Sequence, residues 1–318
     1  MRILVTGGLG FIGHNIVQKL ESLGHDVVIA DNRTDYGIIP RSQVEYLHGQ
    51  RLEKIKTRFA YDYDIVDMFM ESIFDTHRFD IVVHTASFPR QKVVNAHPTA
   101  GARVMIEGLL NLLECSKKYG VKRFVYVSSS MVYGNYTDGV TEDAVCNPQG
   151  QYGIMKLAGE NLVKDYIRRD CFDHVILRPS AVYGPLDVED RVVAKFMHTA
   201  MRGGMLKVKG ADEALDFTYI TDTTDGIITA LLSEKASNQT YNISHGCSRT
   251  LLEAAELTVK IAGRGNVEIY NRDNDYPSRG SLDISKAMND FGYKPTIDIE
   301  QGFLRYYEWL KSSTYFGR

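Results

Sequence analysis

The opening residues Arg2 to Gly13, RILVTGGLGFIG, constrain this chain more than any other stretch. A short apolar run, Ile3-Leu4-Val5, meets Gly7, Gly10 and Gly13, after which Ile16, Val17 and Leu20 recur on one helical face. The pattern predicts strand, tight turn, helix. Gly7 suits a turn conformation closed to side chains, Gly10 lets a ligand approach the backbone, and Gly13 lets the helix pack tightly on the strand. The free N–H groups at such a helix start, around Phe11 and Ile12, form a seat for a pyrophosphate. A second strand, Val27 to Ala30, ends at Asp31 and Asn32, where a carboxylate can accept hydrogen bonds from ribose hydroxyls. Strand, glycine turn, helix, strand and acid, in that order, predict a dinucleotide site.

With 318 residues the chain can hold one large α/β domain or two lobes on a shared core. Its 44% hydrophobic and 24% charged residues fit a soluble globular protein, and no apolar run approaches membrane-spanning length. A net charge of -3 and a pI near 6.3, with no Lys/Arg cluster, argue against a nucleic-acid surface, which needs clustered cations against phosphates. Cys115, Cys146, Cys171 and Cys247 are far apart and lack C-x-x-C spacing, so neither zinc nor a disulfide framework is expected. The chain enters its first strand without a charged leader and apolar run, and a cytoplasmic location is expected.

Further along, residues Asn32 to Arg58 show little periodicity and read as mostly loop with one short strand. A third strand is placed between Arg58 and Asp64, with Asp64-Ile65 at its end leading into a helix. Asp64 can reach an adenine amino group, and Asp62 competes for that role; a solvated acid favoured by the helix dipole is the alternative. Ile81 to Ser87 is the fourth strand, with Thr85, Ala86 and Ser87 at the carboxyl end, where ligands lie in open parallel sheets. His84 reads as a packing residue. A helix follows from about Ala100 to Tyr119, stopped by Gly120, then the strand Arg123 to Val127 with Ser128, Ser129 and Ser130 at its ligand edge. Tyr152 opens a long helix, and His174 to Leu177 is a further strand ending at Arg178-Pro179. Beyond Pro185 the rhythm changes: Val192 to Met201 is helical, Gly203-Gly204 breaks it, and the elements shorten. A helix at Asp225 to Leu232 and a strand at Thr240 to Ile243 return to the first lobe, and Gln301 to Leu310 is an amphipathic tail helix. Residues 1–180, joined by 221–246, are thus expected to form the dinucleotide domain, with 181–220 and 247–318 building a smaller substrate lobe.

Tyr152 and Lys156, four apart on a helix, project from one face. An ammonium beside a phenol favours the phenolate and tunes it for proton transfer near neutrality, and Ser129 on the adjacent strand end can hydrogen-bond the same substrate oxygen. A lone Y-x-x-x-K occurs by chance in many helices; the glycine turn upstream and the serine run before the tyrosine lift it above chance.

In this order the segments TGGLGFIG, the Asp31 strand end, HTAS, SSSMVYG, YGIMK, LRPSAVYGP, DFTYITD and SRGSLDISKA make the chain resemble the extended short-chain dehydrogenase/reductases of the NAD-dependent sugar-nucleotide epimerase/dehydratase family. The resemblance runs nearly end to end. It implies a Rossmann-type doubly wound α/β fold with about seven parallel strands, bound NAD, and hydride exchange with a sugar carbon. It also implies that Ser129 orients the substrate hydroxyl, Tyr152 is the acid/base, and Lys156 holds the nicotinamide-ribose hydroxyls while lowering the tyrosine's proton affinity. The helices around Ala100 to Tyr119 and Tyr152 to Arg169 match the usual dimer faces of the family, so a homodimer is expected.

Dehydratases of this kind carry an Asp-Glu pair just after the catalytic serine or threonine, and decarboxylases commonly a Glu before VYG. Here those places hold Ser130 and Met131, which supply no acid. What remains is oxidation and reduction at one carbon, most economically 4-epimerisation; net oxidoreduction of a nucleotide-linked sugar is second and a non-catalytic NAD-binding regulator third. Ser130, Ser180 and Arg279 are the expected substrate contacts, Arg279 matching a diphosphate-binding arginine. The chain departs from the family at Ala181, where Asn is usual, at Leu215, usually Arg, and at Met105, usually Asn.

Overall fold

The computed structural model describes residues 1–57, 59–169 and 172–313. The chain begins with β1 (Arg2–Thr6), α1 (Phe11–Ser22) and β2 (Asp26–Ala30), followed by α2 (Arg41–Glu53), β3 (Ala60–Tyr61), α3 (Met70–His77) and β4 (Ile81–His84). Short helices α4 (Gln91–Ala96) and α5 (Pro98–Ala102) lead through a π-helical turn at Arg103–Gly108 into α6 (Leu109–Lys118). Next come β5 (Arg123–Val127), α7 (Gln151–Ile167) and β6 (Asp173–Pro179). Beyond these lie β7 (Val182–Tyr183), α8 (Val192–Met201), β8 (Met205–Lys209), β9 (Ala214–Leu215), β10 (Thr218–Tyr219), α9 (Ile220–Leu232) and β11 (Gln239–Ile243). The last elements are β12 (Arg249–Thr250), α10 (Leu251–Ala262), β13 (Asn266–Tyr270), α11 (Ser285–Phe291) and α12 (Ile299–Ser312).

Seven strands form one sheet in the order β11-β6-β5-β4-β1-β2-β3, every neighbouring pair parallel. The fold is the expected Rossmann-type doubly wound α/β sheet. Its central strands are apolar and fully buried because helices cover both faces. The strand order reverses between β1 and β4, which opens a crevice at the carboxyl ends of the strands. Register sets Thr6 level with Ala30 and His84, so Gly7, Asp31 and Thr85 leave the sheet side by side. Residues distant in sequence are thereby brought to one edge.

Several local expectations need correction. Residues 41–53, read as loop, form α2, which buries only Gln43, Leu47 and Arg51; a helix held by so few apolar contacts leaves no hydrophobic period to detect. The helix placed at 100–119 begins at Pro98 and carries the π-helical turn, and the helix placed at Asp225 starts at Ile220. The third strand is confined to Ala60–Tyr61, and Arg58 lies outside the described residues, as does Cys171. In the stretch read as irregular, α10 is a full helix: Thr250 and Glu253 form a reciprocal capping box, and Gly263 ends it at φ 67°.

Buried Asp216 ties the later segments together, accepting from Ser244 Oγ at 2.7 Å, Gly246 N at 3.1 Å and Leu282 N at 3.0 Å. Its carboxylate satisfies backbone donors that no strand pairs.

Candidate active site

A cavity of about 1470 Å³ opens at the strand-order reversal and runs from the glycine turn to Arg279. At its inner end Gly7 adopts φ 69°, and a β-carbon there would lie 2.7 Å from Ala86 N. A β-carbon on Gly13 would lie 2.1 Å from Gly7 O, so only glycine lets α1 seat against the turn. Gly10 caps α1 without offering a side chain to the first-turn N–H groups, and Gly10, Phe11, Ile12 and Gly13 all line the cavity. A bare, close-packed helix start of this kind fits the pyrophosphate of a dinucleotide.

Beside it, Asp31 Oδ2 accepts from Leu9 N at 2.8 Å and Oδ1 from Arg33 N at 2.8 Å. Two backbone donors fix the carboxylate while its remaining lone pairs face the cavity, where ribose hydroxyls can donate to them. Asn32 Nδ2 donates to Asp64 Oδ2 at 2.9 Å, and Asn32, Asp64 and Ile65 line the same wall. The competing Asp62 is exposed near Arg33 and does not line the cavity. Thr85, Ala86 and Ser87 form the opposite wall, with Thr85 Oγ1 donating to Thr6 O at 2.7 Å. His84 is buried and paired with Thr6 Oγ1 at 2.8 Å, and burial lowers its pKa to about 3, so it stays a neutral packing residue.

Ser129, Tyr152 and Lys156 converge on the middle of the cavity. Lys156 Nζ donates to Val127 O at 2.8 Å and stands 5.9 Å from the centroid of the Tyr152 ring. Burial lowers the Lys156 pKa to about 7, opposed by the charge of Glu160. Burial raises the Tyr152 phenol above its ordinary value, and the groups acting in the opposite direction are Arg191 and the Ser129 hydroxyl. The Lys156 ammonium stays beside the Tyr152 ring while donating to Val127 O, and the charge of Arg191 also favours the phenolate. Below these residues Glu160, fully buried, accepts from Arg178 Nε at 2.9 Å, Arg178 Nη2 at 2.6 Å and Ser128 Oγ at 2.7 Å. This forked pair locks α7, which carries Tyr152 and Lys156, to the ends of β5 and β6.

Toward the substrate lobe, Ser130 lines the cavity, but Ser180 does not. Ser180, just past β6, is buried behind Ser130, whose Oγ donates to it at 3.4 Å. The neighbouring Ala181, at φ 35°, takes the place on the wall. Arg279 reaches the outer end with its Nε buried and lacking a protein acceptor, the condition of a guanidinium that receives an anion from a ligand. Leu215 is buried beside the lobe core, and Met105, in the π-helical turn, packs in one cluster with Phe88, Val93, Val94 and Tyr152. The residues missed in the sequence are Tyr36, Arg51, Arg90, Asp187 and Arg191, all on the cavity wall. The alternation of acids and arginine from Asp187 to Arg191 just after a strand end is the one signal that marks part of this set.

The model of the NAD dependent epimerase/dehydratase family matches residues 3–244. The chain is 30% identical to the UDP-glucose 4-epimerase of Dictyostelium discoideum, over 79% of this chain and 78% of that one. It is 25% identical to the dTDP-D-glucose 4,6-dehydratase of Mus musculus, over 98% and 89% of the two chains. Among solved structures it is similar to the UDP-glucuronic acid 4-epimerase of Bacillus cereus in complex with UDP-glucuronic acid and NAD. That match has a TM-score of 0.90 and 28% identity, and covers 98% of this chain and 99% of the other.

Proposed function

The chain belongs to the NAD dependent epimerase/dehydratase family, and on that premise we propose that it epimerises a nucleotide-linked sugar at C4. The observation that carries the choice of epimerisation over dehydration is the pair Ser130-Met131, which stands after Ser129 at the cavity and contains no carboxylic acid to expel water. NAD, held by Gly7, Gly10, Phe11, Ile12, Gly13, Asp31 and the wall from Thr85 to Ser87, supplies reversible oxidation and reduction at one sugar carbon. Asn32, Asp64 and Ile65 bound the adenine side.

In this reading Tyr152 removes the proton from the sugar hydroxyl and later returns it to the same oxygen. Ser129 hydrogen-bonds that oxygen and keeps it aligned with the phenol. Lys156, four residues along the same helix, faces the nicotinamide ribose, and Arg191 stabilises the phenolate. Arg279 binds the diphosphate. Ala181 leaves the wall without a long side chain at the sugar, which supports a pocket in which the oxidised sugar can turn over before it is reduced from the other face. Residues 1–180 with 221–246 act as the cofactor domain, 181–220 and 247–318 as the substrate lobe. The helices α6 and α7 are proposed as the face of a homodimer.

Leu215, in place of an arginine, favours a second reading in which a loosely anchored substrate leaves as the ketone. A panel of nucleotide-sugars incubated with catalytic NAD separates the two. Inversion at C4 without net formation of reduced cofactor is expected, and stoichiometric reduced cofactor with a keto-sugar as sole product refutes the epimerase reading.

A further inference from the structure

The segment between β7 and α8, Gly184 to Arg191, is bonded within itself. Asp187 N donates to Gly184 O at 3.2 Å and Arg191 N to Val188 O at 3.1 Å, while Asp187 Oδ1 accepts from Val188 N at 2.8 Å. Asp187, Val188, Glu189, Asp190 and Arg191 line the cavity. Leu186 is instead buried, in the apolar cluster that also holds Phe11, the first residue of α1, and Leu47 of α2. The segment thus shares a core with the helix start that fits a pyrophosphate.

Side chains from α2 and from the start of α4 fasten this segment across the cavity. Arg51 donates from Nη2 to Leu186 O at 2.7 Å and from Nη1 to Leu9 O at 2.8 Å, so one buried guanidinium joins the segment to the glycine turn. Asp31 on the cofactor wall and Asp187 on the segment both favour its charge. Gln43 Nε2 donates to Glu189 Oε2 at 3.2 Å. Arg90 holds Asp190 twice, at the carbonyl from Nη1 at 3.2 Å and at the carboxylate from Nη2 at 2.9 Å. Each of these bonds joins protein to protein. Leu186 and Arg90, on opposite sides of the contact, both stand at φ 67°. A leucine and an arginine in the left-handed region cost backbone energy that persists only where the surroundings fix it, as at clamps and switches.

Resting on NAD occupying the glycine turn, and not on which sugar carbon reacts, we propose that residues 184–191 form a gate, latched by Arg51, that controls entry and release of the cofactor. Arg51 holds the gate to the turn itself, and Gln43 and Arg90 hold its far end. The strand β7 is paired with β10, and α8 is packed in the lobe core, so both ends of the gate are anchored. Loss of a latch raises the fraction of time the gate stands open and speeds passage in both directions. Because the latches join protein to protein, both rates change together and the affinity moves far less than either.

Stopped-flow mixing of NADH with the cofactor-stripped protein, followed by nicotinamide fluorescence, gives the association rate, and displacement of bound NADH by excess NAD gives the release rate. The wild type is compared with Arg51→Met and with Gln43→Ala combined with Arg90→Gly. The double variant loosens the gate without touching the glycine turn, and glycine takes the Arg90 backbone conformation without strain; melting curves check that both variants fold. Association and release are each expected to rise by about 10- to 100-fold in Arg51→Met, the range of a hydrogen bond to a charged group, and by about 10-fold in the double variant, while Kd stays within about threefold of the wild type. A purely structural role would lower Tm and leave the association rate unchanged. Unchanged rates in both variants overturn the proposal and leave the cofactor reading standing. So does faster release with an unchanged association rate, which would make Arg51 a support of the turn alone. If Arg51→Met does not fold, the double variant decides by the same two rates. Failure of NADH and NAD to bind the wild type would overturn the cofactor reading and the gate with it.

Discussion

Replacing Glu160 by glutamine keeps the shape of the side chain and removes one charge from the most enclosed ion pair at the site. Glu160 is 0% and Arg178 3% exposed, so the guanidinium left behind has no water to replace its partner. Glutamine can still accept from one Arg178 nitrogen or from Ser128 Oγ, and Arg178 keeps Tyr133 Oη at 2.9 Å and Glu142 O at 3.2 Å. Those neutral acceptors do not compensate a full charge, and breaking a buried pair from one side costs about 3–5 kcal/mol. At about 2.1 cal/mol/K per residue, 318 residues give an unfolding entropy near ~0.7 kcal/mol/K, so Tm should fall by about 4–7 °C. A second effect follows at Lys156. Glu160 is the charge that opposes the burial of this lysine, so in Glu160→Gln its pKa should drop below the present value of about 7. Cofactor affinity should then begin to fall at a lower pH than in the wild type, near and below neutrality, as the amine loses its proton earlier. The double variant Glu160→Leu with Arg178→Met, which removes both charges, should melt above Glu160→Gln, because no lone ion remains buried. Melting curves followed by circular dichroism, with cofactor titrations at two pH values, read both effects. If Glu160→Gln melts within about 1 °C of the wild type, the pair does not hold α7 in place and the reasoning fails.

Tyr152→Phe should keep the fold and NAD binding but lose reduction of bound cofactor by substrate; turnover near the wild-type rate would refute the role given to the phenol. NAD should bind more tightly than NADP, since Asp31 would repel a 2'-phosphate, and Asp31→Ala should narrow the difference by about tenfold; tighter NADP binding by the wild type is the contrary result. Acid should destabilise the protein steeply: His14 and His84, each at most 2% exposed, take a proton only near pH 3 when folded but near 6.5 when unfolded. The unfolded chain therefore binds more protons in that window, and stability is lost as pH falls below about 6.5, by about 1.4 kcal/mol per pH unit for each histidine. Denaturant titrations at pH 7, 6 and 5 measure the slope, and His84→Gln should flatten it by one histidine's share.

The features legible in the sequence were those whose chemistry is local. Three glycines spaced after an apolar run specify a turn and a close helix whatever surrounds them, and the sheet follows from fully apolar strands that must be covered on both faces. Ser129, Tyr152 and Lys156 were found in the same way, each at a strand end or helix start that its own neighbours define. Helix α2 was invisible because its three buried residues, Gln43, Leu47 and Arg51, lie on one face four apart, but only Leu47 is apolar, so no hydrophobic period marks it. Ser180 was placed at the substrate by its motif, yet it packs behind Ser130, bonded to its hydroxyl. The charge environment of Tyr152 lay further out of reach: Lys156, its neighbour on the helix, is within sight of the ring but also bonds Val127 O, and a second charge that favours the phenolate comes from Arg191, 39 residues later in the chain. Backbone pattern is written in adjacent residues, whereas the field at one oxygen depends on groups brought from distant segments, such as Arg191 just before α8 and Ser129 after β5, and only the packed fold sets their distances.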